Sequence, residues 1–303
     1  MDLVVKSPRI PAVGETILGR DFIMTPGGKG ANQAVAAAKL GAEVYFIAKL
    51  GDDIFAEQSL KNFKKEGVNT KYVIQTKEAP SGVALITVDD AGNNVIVVAP
   101  GANQMLSPED VKKAELDIIS SGALVAQLEI PLETVEFAAQ SANDSAVPFI
   151  LDPAPAQKLS PELLQMVDVL KPNETEAQIL TDTEVTSNRD SARTAAKNLL
   201  EYGVKSVILT MGANGFLLAN DNQMEFVPAV KVNAVDATAA GDAFTGSLAV
   251  GLAQGKTLAD AALFAKYVAA LSVTKMGAQS SMPAREEVES FVSAVREPPL
   301  LKE

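Results

Sequence analysis

Cysteine and histidine are both absent from this sequence, and each absence removes a block of chemistry. Without cysteine there is no disulfide framework, no thiolate nucleophile and no sulfur-ligated metal. Without histidine there is no Ser-His-Asp triad, no imidazole base and no ordinary zinc site. Acid–base work near neutral pH therefore falls to a carboxylate, a lysine or a tyrosine, and any metal is expected to be a hard, oxygen-ligated cation. An excess of basic charge is lacking too: Lys+Arg number 26 against Asp+Glu 38, a net charge of −12. That balance repels phosphate backbones and anionic lipid, so neither a nucleic-acid partner nor a membrane surface is expected. No apolar run approaches the roughly 18–20 residues of a membrane span, and no charged-then-apolar leader opens the chain. The expectation is a soluble, cytoplasmic protein.

The 303 residues are 47% hydrophobic and 21% charged, enough apolar material for a large core. At this length we expect one α/β domain with a small appendage rather than two domains. Leu3–Val5 and Thr16–Met24 read as strands, broken by Pro8, Pro11, Gly14 and Gly19. Gln33–Leu40 is rich in helix formers and stops at Gly41, and Val44–Leu50 reads as a buried strand. Gly82–Asp89 and Asn94–Ala99, joined by Asp90-Ala91-Gly92-Asn93, have hairpin spacing. With the N-terminal pieces they form a candidate separate sheet.

From residue 107 strands and helices alternate. Strands are expected at Ala123–Leu128, Pro148–Asp152, Val167–Lys171 and Ser206–Thr210, with helices near 132–142, 161–166 and 189–202. Helices at Ala243–Ala253, Leu258–Val273 and Arg285–Val295 complete the chain, and Pro298–Glu303 reads as a frayed tail. The alternation predicts a parallel sheet covered by helices on both faces, with ligands beyond the carboxyl ends of the strands.

Four stretches fall at such places. Asp236-Ala237-Thr238-Ala239-Ala240-Gly241-Asp242 runs small residues into a helix, leaving amides free for an anion, with Asp242 at the same point. Alone, Asp242 reads first as a helix cap, the commoner job for Asp there. Gly27-Gly28-Lys29-Gly30-Ala31-Asn32 allows close backbone approach and places Lys29 and Asn32 to reach hydroxyls. It has neither a Walker A ending nor a dinucleotide fingerprint, and its plainer reading is a flexible turn. Asn173-Glu174-Thr175-Glu176 is a capping box that also puts a carboxylate where it can order water around Mg²⁺. Thr210-Met211-Gly212-Ala213-Asn214-Gly215 is a tight turn suited to flank a nucleotide.

In this order, and with Lys275-Met276-Gly277-Ala278-Gln279-Ser280-Ser281 near the end, these stretches resemble the ribokinase-like carbohydrate kinase family over nearly the whole chain. The resemblance implies an α/β fold, a three-layer sandwich around a mostly parallel sheet. A small β-sheet lid, here from about 3–25 and 82–99, would cover the sugar and pair with a second subunit's lid in a homodimer. The implied reaction moves the γ-phosphoryl group of ATP to the 5-hydroxyl of D-ribose, with Mg²⁺ accompanying ATP and a monovalent cation, usually K⁺, activating. By the same resemblance Asp242 is the base, and Ala239, Ala240 and Gly241 form the backbone anion hole. Asp2, Gly28, Lys29, Asn32 and Glu129 hold sugar hydroxyls. Asn173 and Glu176 serve the phosphate and Mg²⁺ region, and Thr210, Met211, Gly212, Ala213, Asn214 and Gly215 the nucleotide. Asp236, Thr238, Ser272, Lys275, Gly277 and Ser281 match the monovalent-cation loops, mostly through backbone carbonyls.

Two departures accompany the match. The family opens with a buried strand ending in Gly and a sugar-binding Asn shortly before the Asp matched by Asp2, so a central strand and one ligand are expected to be missing. Ala237 stands where the family more often has Thr, an exchange expected to be mild because backbone supplies the anion hole. Two other readings are a kinase of another sugar or a nucleoside, and a catalytically weak sugar-binding regulator.

Overall fold

The computed structural model describes residues 1–186 and 188–295; the tail expected to fray lies outside them. The chain opens with β1 (Asp2–Lys6), β2 (Phe22–Thr25), α1 (Lys29–Lys39), β3 (Tyr45–Gly51), α2 (Ile54–Lys65) and β4 (Asn69–Thr76). The hairpin β5 (Val83–Val88) and β6 (Asn94–Ala99) precedes α3 (Pro108–Lys112), α4 (Glu115–Ile119), β7 (Leu124–Ala126) and α5 (Leu132–Asp144). Then come β8 (Phe149–Leu151), α6 (Pro161–Met166), β9 (Val169–Leu170), α7 (Glu174–Thr181), α8 (Arg189–Glu201) and β10 (Ser206–Thr210). The chain continues with β11 (Phe216–Asn220), β12 (Gln223–Val227), α9 (Ala240–Ala253), α10 (Leu258–Ser272) and α11 (Arg285–Val295). Helix starts are set by local chemistry. Asp53, Ser107, Ser160 and Thr257 each accept an orphan amide of the helix they open, and Pro108 and Pro161 occupy the first helical position.

Strands β12-β11-β10-β9-β8-β7 form one sheet, parallel from β7 to β10 and antiparallel beyond it. Alternation along its strands sorts the core into two layers. Phe149, Leu151, Leu170, Val207, Leu209 and Leu217 face one way, onto α5, α6, α7 and α8. Ile150, Val169, Ile208, Phe216 and Leu218 face the other, onto α9 and α10. Helices therefore cover both faces, giving the three-layer sandwich expected. Strands β2-β1-β5-β6 form a second sheet, and β3 with β4 a third. The six-stranded sheet ends at β7, and among the described residues no strand pairing joins it to the β3–β4 pair.

Several expected bounds change. The α1 helix begins at Lys29 rather than Gln33, so Lys29 and Asn32 stand in its first turn. Gly28 is its N-cap at φ +93°, a backbone that L side chains rarely adopt. The glycine pair disguised the start, because glycine is a poor helix former wherever packing does not decide. For the same reason α9 begins at Ala240, three residues before the expected Ala243. Of the expected strand Thr16–Met24 only Phe22–Met24 is in strand β2, which runs on to Thr25, and β3 is half-buried rather than buried. The elements α2, β4, β11 and β12 were not anticipated.

The α1 and α9 helices cross closely in a cluster of small residues, including Ala31, Ala34, Ala37 and Ala243. Gly246 makes the approach possible: a Cβ there would lie 2.5 Å from the Gln33 carbonyl oxygen and 2.9 Å from the Ala36 Cβ. Neither contact is the flexible end of a side chain, so the helices must separate to admit one. Gly246→Val is expected to cost about 1–3 kcal/mol, the usual penalty for overpacking, read as a lower midpoint in urea unfolding. An unchanged midpoint would show that the crossing has slack.

Candidate active site

The close crossing brings the first turns of α1 and α9 together. Asn32 Nδ2 donates to Asp242 Oδ2 at 2.8 Å, and Gln33 Nε2 donates to Asp242 Oδ1 at 2.9 Å. Asp242 therefore does not cap its own helix; Ala239, at φ +58°, is the N-cap and makes no side-chain bond. Only 7% of Asp242 is exposed. Burial pushes its carboxyl up and nearby Asp152 adds to this, while Lys29 and the amides of Gln33 and Asn32 pull it down. Of the amides expected to form an anion hole, that of Ala240 donates to Ala237 O at 3.2 Å. Those of Ala239 and Gly241, and that of Asp242 itself, meet no acceptor among the described residues. Asp242 thus sits where the helix dipole and free donors favour an anion.

A second group of carboxylates surrounds Lys29. Its backbone N–H donates to Glu129 Oε2 at 3.1 Å. The Asp2 carboxylate lies against Gly27, where any Cβ would overlap it, so this turn needs glycine for approach as well as for conformation. Burial raises the Asp2 carboxyl against the pull of the chain's amino group. Burial likewise raises Glu129, opposed by the Lys29 amide and ammonium and reinforced by Asp242 and Asp2. Burial pulls the Lys29 ammonium down, yet Asp242, Asp152, Glu129 and Glu176 together lift it above its ordinary value. Asn32 Oδ1 is buried and accepts no hydrogen bond among the described residues. Asp2, Gly28, Lys29, Asn32, Glu129 and Asp242 thus belong to one polar region.

The capping box is formed: Asn173 Oδ1 accepts from Glu176 N and Glu176 Oε2 from Asn173 N, both at 2.8 Å. Burial pushes the Glu176 carboxyl up, the Asn173 amide lowers it, and Asp152 raises it again. Asn173 is bridged to Thr210 beyond the strand ends, and Thr210 N donates to Pro172 O at 2.9 Å. Thr210–Gly215 closes on itself, Met211 N donating to Gly215 O at 2.8 Å around a 3-10 turn at Gly212–Asn214. The remaining loops are tied through Asp236. Its Oδ1 accepts from Thr238 and its Oδ2 from Gly277 N at 2.8 Å. The Ser272 and Ser281 hydroxyls donate to Ala269 O and Ala278 O, and Lys275 Nζ to Glu287. Their side chains are thus engaged, leaving carbonyls as the oxygen donors. Among the described residues no three Asp or Glu side chains cluster as a metal cage.

Gln33, Gln127, Asp152, Lys171 and Thr245 were not singled out from sequence. Asp152 and Lys171 each close an expected strand, Pro148–Asp152 and Val167–Lys171, so the strand-end rule could have flagged both. Gln33 follows Asn32 directly; nothing local distinguishes it from a surface glutamine.

Asp242 thus sets a buried carboxylate of raised proton affinity at a helix N-terminus, beside Asp152 at the carboxyl end of a parallel strand. Residues 1–285 match the profile of the pfkB family carbohydrate kinases, and the chain belongs to that family. It is 42% identical over 291 residues to a ribokinase of Haemophilus influenzae, spanning 96% of this chain and 95% of the relative. It is 41% identical over 294 residues to a deoxyribokinase of Salmonella typhi, spanning 97% and 96%. A crystal structure of a Thermotoga maritima ribokinase superposes with a TM-score of 0.88 at 41% identity, covering 96% of each chain. An Arabidopsis thaliana ribokinase complexed with ribose and ATP gives 0.89 at 31% identity, covering 98% of this chain and 96% of that one.

A pH-dependent stability follows from Asp242. A carboxyl whose folded-state proton affinity is raised destabilises the fold while ionised, and the penalty disappears as pH falls through the folded pKa. Asp242→Asn is therefore expected to melt higher than the native protein at neutral pH, the difference shrinking in acid. Asn32 can flip to offer its unused Oδ1 to the new amide. A variant melting lower at pH 7 would contradict the buried-charge account.

Proposed function

We propose that this kinase transfers the γ-phosphoryl group of ATP to the 5-hydroxyl of D-ribose, giving D-ribose 5-phosphate and ADP. The observation that carries the reading is Asp242, buried with raised proton affinity beside the unengaged amides of Gly241 and Asp242. The sugar oxygen bonds to the γ-phosphorus, its proton passes to an Asp242 oxygen, and the bond to the β-phosphate oxygen breaks. The amides at the α9 N-terminus stabilise charge on the transferred group. Asp2, Glu129 and Asp242 accept hydrogen bonds from sugar hydroxyls, while Lys29 and the Asn32 amide donate. The ribokinase relatives and the Arabidopsis complex support ribose and ATP as the substrates. The Salmonella relative, equally similar, supports 2-deoxyribose as a second acceptor.

An oxygen-only donor set without a three-carboxylate cage fits Mg²⁺, which keeps several waters and arrives on nucleotide phosphates. Glu176 and Asn173 would hold it through water, and when bound it offsets phosphate charge. The loops joined by Asp236 and Gly277 suit a monovalent cation such as K⁺ through their carbonyls. The nucleotide is read as flanked by Thr210–Gly215. No helix among the described residues is long and apolar enough to cross a membrane, and a cytoplasmic site of action accords with use of ATP.

The sheet β2-β1-β5-β6 is read as the lid. Register places Leu3, Met24, Leu85 and Val97 on one face with Val5, Phe22 and Val95, opposite the face of Asp2. Phe22, Leu85 and Val97 are each more than half exposed. An apolar face of this kind, pointing away from the sugar, suits a second copy of the lid. Val97→Lys is expected to convert a homodimer to monomer in light scattering; an unchanged mass would place the interface elsewhere.

Coupled ADP release with Mg-ATP tests the activity, comparing ribose, 2-deoxyribose, fructose and adenosine, each with and without K⁺. Ribose-dependent, K⁺-stimulated turnover is expected, and turnover with adenosine alone would refute the assignment. Asp242→Asn should lower kcat by roughly 10²–10⁴-fold, the usual worth of a general base, with sugar binding largely kept. Lys29→Ala should instead raise the KM for sugar.

A further inference from the structure

Behind Asp242 lies a second buried carboxylate that the reaction as described does not use. Asp152, 3% exposed, follows β8, and Lys171, also 3% exposed, follows β9. Lys171 Nζ lies 3.3 Å from Asp152 Oδ2, the one carboxylate within salt-bridge distance of it among the described residues, and acts at longer range on Glu176. The same Oδ2 accepts from Gln33 Nε2 at 2.9 Å and from Thr245 Oγ1 at 3.1 Å. Gln33 Nε2 is also the group that donates to Asp242 Oδ1. One amide nitrogen, carrying two hydrogens, therefore bridges two carboxylates.

The orientation of that amide is fixed by chemistry. Two carboxylates can only accept, so the nitrogen must face them and the oxygen must face away. There Gln33 Oε1 accepts from Gln127 Nε2 at 2.6 Å. The bridge holds Asp152 and Asp242 at the two hydrogens of one NH₂ group, among buried side chains. A like charge so placed opposes ionisation of Asp242, and a cation against that charge relieves the opposition.

We propose that Lys171 and Asp152 form a buried charge pair that, acting across the Gln33 amide, sets the proton affinity of Asp242 and with it the acid limit of turnover. The inference rests on Asp242 serving as the base. Lys171 and Asp152 are positioning residues in this role: they act on the base through Gln33 and not on the sugar. The other charges acting with Asp242 are Lys29 from α1 and Glu129 after β7; Asp2 from β1 acts on Glu129, and Glu176 from α7 acts on Lys29 and feels Asp152 and Lys171. Asp152 is the foremost carboxylate acting on Asp242, and the opposite charge of Lys171 lies against it. Lys171 also approaches the anion hole, its Nζ 3.6 Å from where a Gly241 Cβ would stand. A role confined to phosphate binding therefore competes with the proposal, and the two predict different pH behaviour.

The test is the pH dependence of kcat/KM for the native protein, Lys171→Met, Asp152→Asn and the double variant, with melting curves to establish folding at the assay temperature. Lys171→Met strips Asp152 of its counter-ion and should move the acid limb up by about one pH unit. Asp152→Asn should move it down by a similar amount. The double variant, which removes no net charge, should return towards the native profile, and Lys171→Arg should keep the native limb. A phosphate-binding role alone lowers kcat in Lys171→Met and leaves the limb in place; that result, or single variants shifting in the same direction, overturns the proposal. A carboxylate ¹³C titration of Asp242, assigned by difference from Asp242→Asn, reads the same shifts without turnover. A native protein inactive on every sugar would defeat the kinase assignment while leaving that titration to decide the coupling.

Discussion

The close crossing of α1 over α9 is the constraint on which the site depends. Asn32 and Gln33 reach the two oxygens of Asp242 only because the helix backbones approach within the reach of short side chains, and Gly246 with its alanine neighbours allows this. The same crossing orders both helix N-termini. Gly28, in a conformation reserved for glycine, turns the chain into α1, and Ala239 in the left-handed region turns it into α9. One packing contact thus places the glycine turn, the Asp242 carboxylate and a row of free amides in a common volume. Such a contact is stiff, since small residues at close approach have no rotamer freedom with which to adjust. Stiffness is what alignment of phosphoryl donor and acceptor requires.

Burial then does the work that histidine does elsewhere. Asp2, Glu129, Glu176 and Asp242 all have raised carboxyl pKa values, and for each burial is the largest cause. The protein accepts that cost at the site rather than in its core, where Val, Leu and Ile dominate. Lysines temper the cost: Lys29 stands among four of the carboxylates and Lys171 against Asp152. In a chain of net charge −12 these cations are local, and they mark the place where polyanionic substrate and acidic protein must coexist.

Much of this was legible in the sequence wherever periodicity and punctuation agreed. Ser206–Thr210 and Arg285–Val295 have the bounds expected of them, and the β5–β6 hairpin follows from its turn residues. Reading failed where glycine's local preference and tertiary packing disagree, at the starts of α1 and α9. It failed also at Thr16–Gly19, which lies outside any strand, although Arg20 and Asp21 still exchange backbone hydrogen bonds with Lys6 of β1. The β11–β12 hairpin escaped because Phe216–Asn220 is apolar on both faces, a pattern that length and periodicity cannot separate from other buried segments. At the site, motif residues were visible because glycine and small-residue runs are conspicuous. Gln33 was not, because what distinguishes it is contact with Asp152 and Asp242 across more than a hundred residues of sequence, with partners that no local window contains; Asp152 and Lys171 stand only as strand-end residues until the fold brings them together.

The four-stranded sheet carries the argument one step further. Side chains alternate across a strand, so β1 turns Asp2 towards Gly27 and Leu3 the opposite way, beside Met24 and Leu85. A slip of one residue would exchange the two, burying an apolar side chain over the sugar turn and exposing the carboxylate. With Asp2 in its proposed role, register in this sheet is therefore a condition for sugar binding. Its outward apolar face, left bare, specifies that register weakly; covered by a second lid, it penalises any slip by exposing what the contact had buried. On this reasoning the proposed pairing of lids and the placement of Asp2 are one structural requirement, enforced by the same strands from opposite faces.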